Sequence, residues 1–193
     1  MINEICRKLI HLSSLIYPVL YYTFLNKKEM LLITGSILIF LIIIEFLRFT
    51  SKDFVLFINK YFSIFSRKWE LEGEIYGATH FMLGTFFSIF FFEKNIAIIA
   101  IIVLVVSDTC ASFVGKLISS PKLIGDKSLS GFLAFFISSF LISIFFYKES
   151  LFIMLLISFI TAIVELISKK IQIDDNLLIP ITFGLLCNVF NLL

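Results

Sequence analysis

Two acids stand inside runs of apolar residues where ordinary surface charge has no place. Asp108 interrupts the run that starts at Ile96, and Glu165 interrupts the run that starts at Leu151. If the first run is helical, Asp108 lies eight residues before Lys116, about 12 Å along the axis at 1.5 Å per residue. A carboxylate at such depth costs ~2.5–3.5 kcal/mol unless it is paired or hydrated, so it marks either a structural ion pair or a functional centre. Ala111 and Gly115 follow on the same helical face, a small-residue stripe that admits close approach by a neighbouring helix or by a ligand. Lys127, Ser128 and Gly131 then open another apolar run. A lysine beside helix-start amides is a ready phosphate site, although the Gly-x4-Gly-Lys-Ser spacing of a P-loop is absent. Lys116 and Lys122, in the same stretch, suit phosphate contact or simple snorkelling to lipid headgroups.

Other polar sets reinforce this one. Arg7 and His11 are one helical turn apart at the start of the first apolar run, and Asp174, Asp175 and Asn176 directly precede the last. Glu70, Glu72 and Glu74 alternate ahead of Gly77, His80 and Gly84; Glu72 is a candidate metal ligand, and a solvated helix start also explains the acids. His80 shares a helical side with both glycines and so faces a tightly packed partner. Acids with lysines fit Mg²⁺ and a nucleotide, where metal clamping and positioning carry most of phosphoryl-transfer catalysis.

The elements that must hold these residues are membrane helices. Hydrophobic residues make up 60% of the 193, and the mean hydropathy is +1.05, more apolar than a water-soluble domain tolerates. Runs of the ~20 apolar residues needed to cross a bilayer predict seven spans: 5–25, 30–47, 75–92, 96–114, 128–147, 150–168 and 177–193. The segment 54–65 mixes aromatics with Asn59, Lys60 and Ser63, which predicts an interfacial helix. If that segment spans instead, the orientation of everything after it reverses. The fold expected is therefore all-α, a polytopic integral membrane protein forming a single transmembrane domain over 1–193. Its first run is expected to be a retained helix, lacking a small-residue cleavage site.

Twelve of the sixteen lysines and arginines fall on the side shared by the N-terminus, the 48–74 loop, the 115–127 loop and the 169–176 loop. Lys27, Lys28, Lys94 and Lys148 make up the other side. The positive-inside rule then places the acids and their loops in the cytoplasm. Three cysteines without paired spacing and two histidines disfavour zinc or a disulfide framework.

The segments RKLIH, GATHFMLG, SDTCASFVGK with KLIGDKSLSGF, and ELIS with DDNLLIP resemble, in that order, the CTP-dependent polyprenol and lipid kinases, a family that includes dolichol kinase, phytol kinase and CTP-dependent diacylglycerol kinase. Its Asp-x2-Ala-x3-Gly pattern is matched by Asp108, Ala111 and Gly115, and its Lys-Thr-x-Glu-Gly element resembles Lys127 to Gly131. Ser128 and Ser130 replace the Thr and Glu, and Ser119 stands where a second loop glycine is expected. Glu165, Ser168, Asp175 and Asn176 match its last elements.

The resemblance implies transfer of the γ-phosphoryl group of CTP to the hydroxyl of a membrane-embedded lipid alcohol, with Mg²⁺ as cofactor and no nucleic acid as partner. It implies catalytic roles for Asp108, Lys127, Glu165 and Asp175, with Asp108, Asp175 and Glu72 at the metal. Arg7, Gly115, Lys116, Lys122, Lys127, Ser128, Gly131 and Asn176 would contact the nucleotide, and His11, Ala111 and His80 the lipid substrate. The expected location is the cytoplasmic membrane of a bacterium.

Two rivals remain at this stage. A phosphatidate cytidylyltransferase shares CTP and Mg²⁺, but Pro180 is followed by Ile-Thr-Phe-Gly where its signature has Pro-x-His-Gly-Gly. A small transporter or scaffold would use Glu45, an acid in the second span.

Overall fold

The computed structural model describes residues 2–62, 73–147 and 150–192. Among them are helices α1 (Ile2–Ser13), α2 (Ile16–Thr23), α3 (Lys27–Thr50), α4 (Lys52–Phe62), α5 (Gly77–Phe91), α6 (Lys94–Leu117), α7 (Leu129–Phe146), α8 (Leu151–Ile167) and α9 (Asp175–Val189). Strands β1 (Lys122–Ile124) and β2 (Lys127–Ser128) pair antiparallel between α6 and α7. The described residues form an all-α bundle with one short hairpin.

α6 is the axis of the bundle. Ile96–Ile101 and Val103–Val105 are buried all round the helix, as an apolar helix without a polar face requires. It packs against α1, α2, α5, α7 and α9. On the outer helices large side chains point away from the bundle, Phe40, Phe46, Phe90 and Phe145 among them, which suits lipid rather than water. Among the described residues, three helices are long and apolar enough to cross a membrane: α3, α6 and α7, of 24, 24 and 18 residues. The apolar helices α5, α8 and α9 are shorter, at 15, 17 and 15 residues.

The first predicted span is not one helix. It breaks at Ser14–Leu15, between α1 and α2, and the cause is Pro18. A proline has no N–H for the carbonyl four residues earlier, which here is Ser14, and its ring crowds that carbonyl. Ser13 and Ser14 also turn their hydroxyls onto the Ile10 carbonyl, at 2.7 and 3.2 Å.

Of the predicted interfacial segment 54–65, residues 63–65 lie outside the described residues; residues 52–62 are α4, 11 residues and about 16 Å of helix, against a hydrocarbon core of about 30 Å. The C-terminal end of α3 and the approach to α5 are also bound together. Glu45 pairs with Arg48 and accepts hydrogen bonds from the Tyr76 amide (2.7 Å) and the Thr79 hydroxyl (3.1 Å). The Arg48 guanidinium lies 3.7 Å from the Tyr76 ring centroid. The chain therefore leaves α3 and enters α5 at the same end of the bundle. The opposite end is tied by two lysines: Lys27 donates to the Phe92 carbonyl (2.9 Å) and Lys94 to the Leu25 carbonyl (3.0 Å).

Candidate active site

Side-chain caps set where the site-bearing helices begin. Ser128 caps α7, its hydroxyl accepting the Gly131 amide at 3.3 Å. Asp174 caps α9, accepting the Asn176 amide at 2.9 Å. That cap pulls Asp175 and Asn176, expected in the loop, into the first turn of α9. At its C-terminus α6 runs on through Gly115 and Lys116 to Leu117, past the expected end at Val114.

The stripe beyond Asp108 is a helix–helix contact. A Cβ on Gly131 would meet the Ala111 carbonyl at 3.0 Å and the Gly115 Cα at 3.5 Å, so α6 and α7 cross with their backbones nearly touching. Ala111, expected at the substrate, is buried in this crossing, and Gly115 and Gly131, expected at the nucleotide, form it. The same crossing fixes where α7 begins and so where Lys127, two residues ahead of it, is delivered. Serines close the loop: Ser120 donates to Ser130 (2.8 Å), Ser130 donates to the Ile118 carbonyl (3.0 Å), and the Ser128 and Ser130 hydroxyls lie 3.1 Å apart.

Four of the sequence-predicted residues converge. The Lys127 ammonium donates to the Glu165 carboxylate (2.5 Å) and carbonyl (2.5 Å), to Ser168 Oγ (3.2 Å) and to Asp175 Oδ2 (3.1 Å). Burial alone would lower its pKa, but Asp175 and Glu165 outweigh that and raise it above the ordinary lysine range. Lys127 is thus a fixed cation. One carboxylate oxygen each from Asp108, Glu165 and Asp175 lies within 4.8 Å of the others. Three hard oxygen ligands from three helices are a donor set that fits Mg²⁺.

Sequence reasoning missed Lys8. It reads as the ordinary basic flank of a first helix, yet it is 8% exposed and its ammonium reaches Asp108 Oδ2 at 2.6 Å. The nearest signal was its spacing of three residues from His11, which places both on one face. His11 Nε2 stands 3.6 Å from the same Asp108 oxygen, its ring edge-on to Phe81. That Nε2 has no hydrogen-bond partner among the described residues, while the ring is bonded to the Leu104 backbone.

Two cavities adjoin the cluster. One, of about 450 Å³, is mostly apolar and is lined by Tyr17, Leu41, Phe81 and Met82, with Lys8, His11 and Asp108 also on its wall. Arg7 and Asn176 border it too. Asn176 is buried, and its side-chain amide is bound to Asp174 at 2.7 Å. The other cavity, of about 780 Å³, is the more polar of the two and includes His80, Ser168 and Asp175. His80, expected at the lipid, is on this polar side. Gly84, one turn beyond it, packs against the first turn of α9, the close partner its spacing predicts.

Lys116 and Lys122 are exposed and line neither cavity; the Lys122 ammonium is held by the Asp126 carbonyl at 2.7 Å. Glu72 and Glu70 lie outside the described residues. Glu45, which favoured a solute pathway, is instead a buried tie between α3 and α5.

Fold and site together define a helical membrane protein with an acid–lysine centre set between an apolar and a polar cavity. The chain is 32% identical over 191 residues to an uncharacterized protein of Rickettsia prowazekii, covering 95% of this chain and 93% of that one, and it belongs to the same family. It is 37% identical over 116 residues to an uncharacterized protein of Methanocaldococcus jannaschii, 58% of each chain. Over 137 residues, 69% of this chain, it is 31% identical to CTP-dependent diacylglycerol kinase 1 of Saccharomyces cerevisiae, of which it spans 47%. No family model and no solved structure matches the chain.

Proposed function

We propose that the protein is a CTP-dependent lipid kinase, moving the γ-phosphoryl group of CTP onto the hydroxyl of a membrane-embedded lipid alcohol, polyprenol-like or diacylglycerol. One observation carries the reading. Asp108 borders the apolar cavity, Asp175 borders the polar one, and their carboxylate oxygens are within 4.8 Å of each other. An acceptor with a greasy tail and a donor with a charged one could thus present their reacting ends at a shared boundary. Similarity to the yeast kinase supports the class.

The acceptor tail occupies the apolar cavity and its hydroxyl lies against Asp108, whose orientation Lys8 holds through the 2.6 Å bond. The hydroxyl proton passes to the Asp108 carboxylate as the oxygen bonds to the γ-phosphorus. The bond from that phosphorus to the β–γ bridging oxygen breaks, and CDP leaves. Lys127 provides fixed positive charge beside the transferring group, and positioning plus charge stabilisation supply most of the rate. Asp108, Asp175 and Glu165 would hold Mg²⁺, which when bound neutralises the donor's phosphates. Seven apolar passages, α1–α2 counting as one, cross the bilayer, and the basic side of the chain with its acid cluster faces the cytoplasm, where CTP is.

The test uses purified protein, CTP labelled in the γ-phosphate, and a panel of a polyprenol, phytol and diacylglycerol. Label is expected in a lipid monophosphate, with an equal yield of CDP. Label appearing as pyrophosphate alongside a CDP-lipid would instead establish the cytidylyltransferase reading.

A further inference from the structure

The stretch after α6 and the turn after α8 both mix lysines with aliphatic side chains that the bundle leaves uncovered. At the end of α6 and along β1 these are Lys116, Leu117, Ile118, Lys122 and Leu123, all exposed, with Leu117 at 81%. After α8 they are Lys169, Lys170, Ile171 and Ile173, also exposed. The two stretches make one surface. β1 packs against α8, and the Lys169 ammonium lies 3.5 Å from the carboxylate of Asp126, in the turn between β1 and β2. Asp126 is the one acid in residues 116–128 and 169–173, so four exposed lysines give this surface its sign.

Helix length sets the depth of this surface in the bilayer. α6 has 24 residues, about 36 Å, and at an ordinary tilt of about 20° it still reaches about 34 Å along the membrane normal. The hydrocarbon core is about 30 Å thick, with a headgroup layer of several Å on either side. Lys94 opens α6 at the opposite end, its ammonium held by the Leu25 carbonyl. The last turn of α6 therefore emerges among the headgroups on the side of the acid–lysine centre. α7 is shorter, 18 residues and about 27 Å, and the hairpin joins the two at headgroup depth. Aliphatic side chains uncovered in water would form an exposed patch. At this depth they reach the acyl boundary, while lysines beside them stand level with the phosphates.

We propose that this surface docks on anionic lipid headgroups of the bilayer that holds the bundle, with its leucines and isoleucines in the acyl boundary and its lysines on the phosphates. The Lys122 ammonium uses one of its three N–H donors on the Asp126 carbonyl, at 2.7 Å, and leaves two for headgroup oxygens. A headgroup with net negative charge complements four lysines, whereas a zwitterionic one brings a cation of its own. The surface is continuous with the site. β2 carries Lys127 into the acid cluster, and Ser168, the residue before Lys169, accepts from the same ammonium at 3.2 Å. Headgroups bound here would steady both of the segments that deliver the centre. The assignment rests on α6 crossing the bilayer and is independent of phosphoryl transfer.

Native mass spectrometry of the purified full-length protein in detergent tests it, with phosphatidylglycerol and phosphatidylcholine of matched chains titrated separately. The wild-type protein is expected to bind the first phosphatidylglycerol about tenfold more tightly than the first phosphatidylcholine. The double variant Lys122→Gln/Lys170→Gln changes two exposed side chains and should melt with the wild type; it is expected to lose most of that preference. Lys28→Gln, at an exposed lysine of the opposite end, is expected to keep it. Equal affinity of the wild-type protein for the two lipids, a preference that survives in the double variant, or one lost equally in Lys28→Gln would overturn the assignment. A preference that depends on Lys122 and Lys170 in a protein that phosphorylates no lipid would uphold it and remove the kinase reading alone.

Discussion

Replacing Lys127 with methionine keeps the length of the side chain and deletes its charge. The ammonium has four oxygen partners between 2.5 and 3.2 Å, and Lys127, Glu165 and Asp175 have side chains only 13, 7 and 17% exposed. Its loss leaves the Glu165 and Asp175 carboxyls without their cation, beside an Asp108 that keeps only Lys8. Breaking a largely buried pair in this way costs ~3–5 kcal/mol. For a chain of this size that corresponds to a fall in melting temperature of ~6–20 °C, read by thermal unfolding in detergent with a chelator present. Mg²⁺ at ~100 times its dissociation constant returns about 2.7 kcal/mol, so the ion is expected to rescue the variant more than the wild type. The sign with pH is also set. A lysine whose pKa is raised on folding contributes stability that is complete below its unfolded value and lost only as pH climbs through the folded one. The lysine's own titration should therefore not narrow the gap between the two proteins from pH 7 to about 9. A variant melting within about 2 °C of wild type in chelator, or a gap that closes across that range, would refute the counter-charge role of Lys127.

Asp108→Asn removes the partner of the buried Lys8 ammonium, so it should lower the melting temperature and lower phosphoryl transfer by ~10²-fold or more, the loss expected when a proton acceptor is removed, measured as lipid-bound label per folded protein below the variant's melting temperature. Gly131→Ala should push α6 and α7 apart at the 3.0 Å approach to the Ala111 carbonyl, costing ~1–3 kcal/mol in a melt. Glu45→Gln should lower the melting temperature by loosening α3 from α5 while transfer at low temperature is unchanged. A rate loss without a stability loss would return Glu45 to the functional residues.

Asp108 and Glu165 were legible because the bilayer makes an acid in an apolar run expensive, Asp175 because it belongs to an Asp-Asp-Asn set directly before an apolar run, and Lys127 because a lysine ahead of a capping serine is conspicuous. Lys8 was not, since basic residues flank many first helices and only the fold shows this one turned inward. The small residues of the Asp108 stripe left helix or ligand open, and the backbone contact with Gly131 resolves it for the helix. The break at Ser14 was written in Pro18, four residues on, and hidden by unbroken apolar character on either side. The Glu45–Arg48 tie was the hardest to see: its other partners, Tyr76 and Thr79, lie about thirty residues away, beyond any local pattern.

The two lysine ties at the end remote from the acids join residues 65 and 69 positions apart. During synthesis, Lys27 and the Leu25 carbonyl emerge long before Phe92 and Lys94. The first hairpin therefore makes neither bond by itself, and its open end gains these two partners only when the turn between α5 and α6 arrives. Assembly of this protein is in that sense latched late, by a pair of bonds that a truncation after α3 would never form.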